Sequence, residues 1–338
     1  MISVEHLSKR YGSFEAVRDL SFEVRAGEVL GFLGPNGAGK STTMRILTGF
    51  LCPTSGRASI AGHDVVERPL EARRHLGYLP EHAPVYTDLT VLEYLRFIAG
   101  ARGIPRARRR AAIDQVVADC GLREVLRRPI GHLSKGYRQR TCMAQALVHR
   151  PDVLILDEPT SGLDPNQIIE IRDLVSSLAT ERAIVWSTHI LSEVEALCER
   201  VLIIDSGRPV ALGHPRELKA RVPGNRPFRL VVASSGGSKA GEETSDRGSA
   251  IERELGSIPS IASFRRLESD ADGSADLAWY VEPDSESEPL TARDAVFERT
   301  KASGWALRAL VPEEPTLEDV FRHLTSERAS ASGVEARS

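Results

Sequence analysis

No apolar run in these 338 residues approaches the ~20 that a helix needs to cross a bilayer, so the chain is expected to be soluble by itself. The N-terminus, MISVEHLSKRYG, has no apolar core of the kind that marks a secretory signal. Cysteine is scarce and scattered. Cys52, Cys120, Cys142 and Cys198 show no C-x-x-C spacing, which argues against zinc and disulfides and for reduced, buried thiols. Charge is nearly balanced: the net value of −3 gives no global pull toward nucleic acid. What is present is ordinary for a soluble protein, 41% hydrophobic and 27% charged residues. The length suffices for two domains with sizeable cores.

One stretch organises the rest. Gly34 to Thr42 reads GPNGAGKST, between an apolar run (Val29 to Leu33) and the helical pattern of Met44 to Leu47. A G-x-x-x-x-G-K-[ST] loop between strand and helix is built to cradle phosphates. Gly34, Gly37 and Gly39 permit torsions that a Cβ forbids, so the loop N–H groups turn inward, and the helix N-terminus adds positive charge. Lys40 supplies a cation for β- and γ-phosphates, Ser41 a hydroxyl ligand for Mg²⁺, and Thr42 a further phosphate hydrogen bond.

Other segments gain meaning from that loop. Ile2 to Glu28 holds three short strand-like runs, and Tyr11 stands beside the turn Gly12-Ser13. Its ring either packs on the turn or stacks on a purine. Val91 to Ala99 and Pro105 to Cys120 read as helices. The second begins with Arg106-Ala107-Arg108-Arg109-Arg110, against the helix dipole. A solvated face is favoured there over a surface aimed at a partner or acidic lipid. Ser134 reads as an N-cap, or as the start of a second anion-binding helix. Val153 to Leu156 is an apolar strand ending in Asp157-Glu158, which suits the ligand-bearing edge of a parallel sheet. Asp157 would hold Mg²⁺ and Glu158 would polarise an attacking water. Asp164-Pro165 opens another helix. Ala183 to Trp186 is a further buried strand, with His189 in the loop beyond it as a γ-phosphate sensor. Ser192 and Glu195 match a capping box.

Taken in order, these motifs resemble the ATP-binding subunit of an ABC transporter over roughly Met1 to Leu218. Tyr11 matches the adenine-stacking aromatic, GPNGAGKST the Walker A loop, LSKGYRQR the signature, LILDEP the Walker B strand, SGLD the D-loop and His189 the switch histidine. The resemblance implies an α/β P-loop fold: a parallel core sheet, an antiparallel β subdomain and a helical subdomain near 81–150. It implies ATP and Mg²⁺ as ligands, with Gly34, Pro35, Asn36, Gly37, Ala38, Gly39, Lys40, Ser41 and Thr42 around the phosphates and Ser41, Asp157 and Glu81 at the metal. It further implies two copies stacked head to tail, each site completed by Ser134 and Gly136 of the other copy, with Asp164 at the seam. A separate membrane permease would form the pathway, touched by Glu81 and the region from Thr90 to Pro129, and would hold the chain at the inner face of the cell membrane. The C-terminal part, with PEEPTLEDVFRHLT near its end, looks like the accessory domain of multidrug, polysaccharide and gliding-motility exporters.

Three positions depart from the family pattern. Glu81 stands where the family has Gln, and Lys135 and Tyr137 replace Gly and Gln in the signature. Glu81 is read as a variant, since a carboxylate also ligates Mg²⁺. The alternative class is a soluble ABC ATPase acting on ribosomes or DNA. One Walker A loop, no sustained heptads and near-neutral charge argue against it and against nucleic acid as partner. The expected domains are 1–222 for ATP binding and 223–325 as an α+β appendage with a flexible loop at 234–250, followed by a disordered tail at 326–338.

Overall fold

The computed structural model describes residues 1–81, 85–220, 227–233, 242–267, 276–284, 291–313, 315–321 and 323. They fall into two compact units, one spanning Met1–Pro215 and the other within Arg216–Ser326. The composition boundary at 222/223, the first residues of the expected loop at 234–250, and the tail at 326–338 lie outside the described residues.

The first unit opens with β1 (Ile2–Tyr11) and β2 (Phe14–Val24), an antiparallel hairpin whose end pairs Tyr11 with Phe14. The sequence reads as three shorter runs because register shifts between Val4 and Leu7, and again before Lys9, interrupt the period-two alternation. Next come β3 (Val29–Leu33), buried at every residue, and α1 (Lys40–Leu47). β4 (Ser55–Ile60) and β5 (His63–Asp64) complete an antiparallel sheet of order β2-β1-β4-β5. α2 (Pro69–Arg74) leads to β6 (Leu76–Leu79). A layer of three helices follows: α3 (Val91–Ala101), α4 (Arg106–Asp119) and α5 (Lys135–Leu147). Then β7 (Val153–Asp157), α6 (Pro165–Ala179), β8 (Ala183–Thr188), α7 (Leu191–Leu197), β9 (Arg200–Asp205) and β10 (Arg208–Gly213) alternate along the chain.

The central sheet has the order β10-β9-β3-β8-β7-β6, parallel except for β10 at its edge. Because helices and the antiparallel sheet pack against it, β3, β7 and β8 are continuous apolar runs rather than alternating ones. This is the mixed arrangement that the resemblance implied: parallel core, antiparallel sheet and helical layer. Close packing fixes its details. A Cβ at Gly77 would lie 2.4 Å from the Ala146 carbonyl, so β6 and α5 meet backbone to backbone.

One capping expectation is corrected. α7 begins after Ile190, which places Ser192 inside the helix rather than at its cap. Thr188 does the local work instead: its Oγ1 accepts from the Ile190 N–H and donates to the buried Glu193 carboxylate, each at 3.0 Å. A strand-end threonine outcompetes the Ser192/Glu195 pattern because it reaches the loop amide from a rigid strand.

α8 (Pro215–Ala220) lies at the division. The second unit runs β11 (Phe228–Val232), α9 (Glu242–Gly256), β12 (Ile261–Leu267), β13 (Leu277–Pro283), α10 (Thr291–Ala302) and β14 (Leu307–Pro312). Its antiparallel sheet has the order β12-β13-β11-β14, so the unit has the split β-α-β-β-α-β topology of ferredoxin-like folds. Phe228, Leu230, Trp279 and Val281 of the sheet pack with Ile251, Leu255, Ala292 and Val296 of the helices. The flexible-loop reading is corrected from Glu242 onward, where α9 is helical. Gly248, Ile251 and Leu255 recur at helical spacing and are buried. That burial outweighs the weak helix propensity of the Gly and Ser residues around them.

Candidate functional site

The phosphate loop leaves β3 at the C-terminal edge of the parallel sheet and ends where α1 begins. Two glycines show why the loop reads as it does. Gly39 sits at φ 105°, and a Cβ there would be 2.5 Å from the Ala16 carbonyl oxygen. Gly34 has ordinary torsions, but its Cβ would be 2.4 Å from the Ile204 carbonyl oxygen. The loop is thus clamped between β2 and β9. Gly39→Ala combines a strained torsion with a backbone collision. It is expected to weaken ADP binding about tenfold or more, measurable by equilibrium titration, since a left-handed non-glycine alone costs ~1–2 kcal/mol.

A cleft of about 300 Å³ opens over this loop. Pro35, Asn36, Gly37, Gly39, Lys40, Ser41 and Thr42 line one side, and Glu81, Glu158 and His189 face them. Gly34 and Ala38 lie just behind, Gly34 lending its carbonyl oxygen to Lys40 Nζ at 2.6 Å and Ala38 its own to the Gly207 N–H at 3.0 Å. Lys40 makes a second bond to its own loop, to Pro35 O at 3.2 Å. Burial lowers the Lys40 pKa, and the nearby charges of Glu158, Asp157 and Glu81 act in the opposite direction.

The carboxylates have different roles by position. Glu158 follows β7 at φ 49°, a left-handed torsion that is costly for a residue with a Cβ. Its N–H donates to Ser187 O at 2.9 Å, and its side chain is buried. Both carboxylate oxygens receive His189 Nδ1, at 2.9 and 3.0 Å. A carboxylate only accepts, so Nδ1 carries the proton and Nε2 is left for another group. Asp157 is also buried and does not itself line the cleft, and its Oδ1 has no hydrogen-bond partner. Its pKa is raised, first by burial and also by the charges of Glu158 and Glu81, against the Ser187 hydroxyl and the Lys40 charge, which act to lower it. A buried orphan carboxylate oxygen and the Ser41 hydroxyl at the mouth are hard oxygen donors, and a Mg²⁺ ion fits them. Among the described residues no cluster of three or more His, Cys, Asp or Glu forms a closed metal site. An open site keeps coordination positions for water and phosphate oxygens.

Not every expected residue meets here. Tyr11 is half exposed at the hairpin end, with Lys9 Nζ 5.3 Å from its ring centroid, and does not line the cleft. Its strand partner Phe14 does, together with Ala16. Sequence reasoning passes over Phe14, although an apolar ring at a strand start, 61% exposed, is a signal once the hairpin is known. Ser134 caps α5, accepting from the Tyr137 N–H at 3.4 Å, and Asp164 caps α6, accepting from the Gln167 N–H at 3.0 Å. Neither these two nor Gly136 lines the cleft of their own chain. The starts of α5 and α6 meet all the same, over the buried Gly136. A Cβ at Gly136 would be 2.6 Å from the Gln167 side chain, and the Lys135 ammonium lies against Gly162.

Known proteins agree with this geometry. The ABC transporter family model matches residues 17–161. The ABC transporter ATP-binding protein YxlF of Bacillus subtilis (strain 168) is 40% identical over 219 residues, 65% of this chain and 72% of its own length. The daunorubicin resistance ATP-binding protein DrrA3 of Streptomyces coeruleorubidus is 32% identical over 327 residues, 96% of each chain. A solved ATP-binding subunit of an ABC transporter superposes with a TM-score of 0.61 at 32% identity, over 65% of this chain and 92% of its own. The protein therefore belongs to the ATP-binding subunits of ABC transporters, and its activity is ATP hydrolysis.

Proposed function

We propose that two copies of this chain close on two ATP molecules, and that this closure drives a separate membrane permease in export. One observation carries the two-copy reading: the exposed caps Ser134 and Asp164 stand at helix starts that meet through Gln167 and the buried Gly136, yet all of them lie outside their own chain's phosphate cleft. The start of α5 offers free N–H groups and a positive dipole end, which suit the phosphates held by a second copy. Tyr11 would flank the adenine.

Within one cleft, Lys40 leaves its loop carbonyls for the β- and γ-phosphates. Glu158 takes a proton from the attacking water, and His189 holds the carboxylate and presents Nε2 toward the γ-phosphate. Ser41, Asp157 and Glu81 would hold Mg²⁺, which supplies charge neutralisation to the triphosphate when bound. Release of phosphate removes the contacts that hold the copies together, so hydrolysis reopens them.

For the permease the reading rests on an exposed aromatic pair. Tyr86 and Phe97 are both more than half exposed, and their rings meet edge to face at 5.5 Å beside α3. Such a patch on the helical layer suits a docked apolar segment. Among the described residues no helix is long and apolar enough to cross a membrane, and this reading assigns the pathway to the permease. The proposed location is the cytoplasmic face of the cell membrane, held there by that permease. Export follows the relative named for daunorubicin resistance, whose similarity runs through both units.

ATPase rate against protein concentration tests the two-copy site. The rate is expected to rise with the square of concentration at low protein. A linear dependence that survives loss of Ser134 would overturn composite sites.

A further inference from the structure

Away from the phosphate loop, α2, the end of α3, the start of α4 and the residues after α5 enclose a second cleft of about 800 Å³. Arg73, Arg74, Arg102, Arg108 and Arg150 line it, and among the described residues no Asp or Glu does. These arginines come from four separate parts of the chain, so the cluster is not the solvated face of one helix. Among the described residues none of the five is in an ion pair. Their side-chain hydrogen bonds go to main-chain carbonyls: Arg73 Nε donates to Pro69 O at 3.1 Å, and Arg102 Nη1 to Arg73 O at 3.0 Å.

Two neighbours register the concentrated charge. Arg102 is half-buried, and its pKa is lowered first by burial and then by Arg73. His149, on the same wall with Nε2 bonded to Leu76 O at 3.0 Å, is pushed down to about 4 by burial first and then by Arg102. The first turn of α4 has no acidic residue and no side-chain cap, so the positive end of its dipole adds to the same field. A concave wall of one sign focuses potential on whatever enters it.

We propose that this cleft is a binding site for a phosphoryl anion, distinct from the ATP site. Guanidinium groups present planar forks that match phosphate oxygens two at a time, which favours a phosphate group over a lone carboxylate. Leu70 and Ile104 on the same wall leave room for an apolar body attached to the anion. That chemistry belongs either to a soluble phosphorylated compound or to an anionic lipid head group. The site stands independently of the two-copy reading of the ATP cleft.

The test uses the full chain with its ATP cleft saturated by ADP. One arm titrates inorganic pyrophosphate calorimetrically, and the other sediments the protein with phosphatidylcholine vesicles that contain or lack phosphatidic acid. Binding is expected in at least one arm. It should weaken about tenfold or more in a triple variant of the exposed residues, Arg74→Gln, Arg108→Gln and Arg150→Gln, as expected for the loss of several charge-assisted bonds. ADP affinity, unchanged in that variant, shows that it is folded. A control pair outside the cleft, Arg123→Gln with Arg127→Gln, should bind like the parent. Pyrophosphate binding assigns a soluble ligand, and vesicle binding alone assigns a lipid. Absence of binding in both arms, or an equal loss in the control pair, overturns the proposal.

Discussion

Glu158→Gln is expected to slow ATP turnover about 10³-fold, inside the 10²- to 10⁴-fold range of a positioned general base, while ATP still binds. That loss corresponds to about 4 kcal/mol of transition-state stabilisation. The substitution keeps the shape of a buried side chain whose backbone is already held at φ 49° by the Ser187 carbonyl, so the fold should tolerate it. It removes the negative charge that orders His189 through Nδ1 and that would accept the water's proton. ATP-driven closure is then no longer followed by opening. Size-exclusion chromatography with ATP should show the two-copy form accumulating, against the single chain in ADP. Fast hydrolysis by the variant would remove Glu158 from the role of base. Slow hydrolysis without accumulation would keep the base and remove the clamp.

The central chemistry is legible in the sequence because its signals are local. GPNGAGKST is contiguous, so its spacing is read directly, even though the carbonyls that require glycine at Gly34 and Gly39 come from Ile204 and Ala16, far along the chain. The strand Val153–Asp157 reads as buried because a parallel sheet covered on both sides needs an unbroken apolar run. His189 is found through its place after β8, although sequence does not foresee that it bonds Glu158. What escapes depends on partners far along the chain. Phe14 reaches the cleft only because the hairpin turns it there. α9 gains its stability from the sheet rather than from its composition. The arginine run at Arg106 to Arg110 reads as a solvated face because Arg73, Arg74 and Arg150, which join Arg108 in one cleft, are dozens of residues away.

Asp157→Asn carries the other large effect, with opposite signs for function and stability. Hydrolysis should fall by about 10² or more, since the residue offers Mg²⁺ an oxygen that nothing else engages. The nucleotide-free chain, by contrast, should become more stable at neutral pH. A buried carboxylate with an unpartnered oxygen carries a desolvation cost of about 1–3 kcal/mol, which a neutral amide of the same shape relieves. Thermal unfolding should then shift upward by roughly 1–4 °C for a chain of this size. The pH dependence follows from the raised carboxyl pKa of Asp157. Its unfolded counterpart titrates near ~3.9, so the parent loses stability as pH rises from that value through the folded one. The amide of the variant does not titrate, so the gap between variant and parent should be widest at neutral pH and close as pH falls below ~3.9. Mg²⁺ with nucleotide should restore the parent's stability more than the variant's, because only the parent keeps the carboxylate that binds the ion. A parent that is the more stable of the two without nucleotide would mean that Asp157 is satisfied within the protein, and the fit of a Mg²⁺ ion to this cleft would lose its main support.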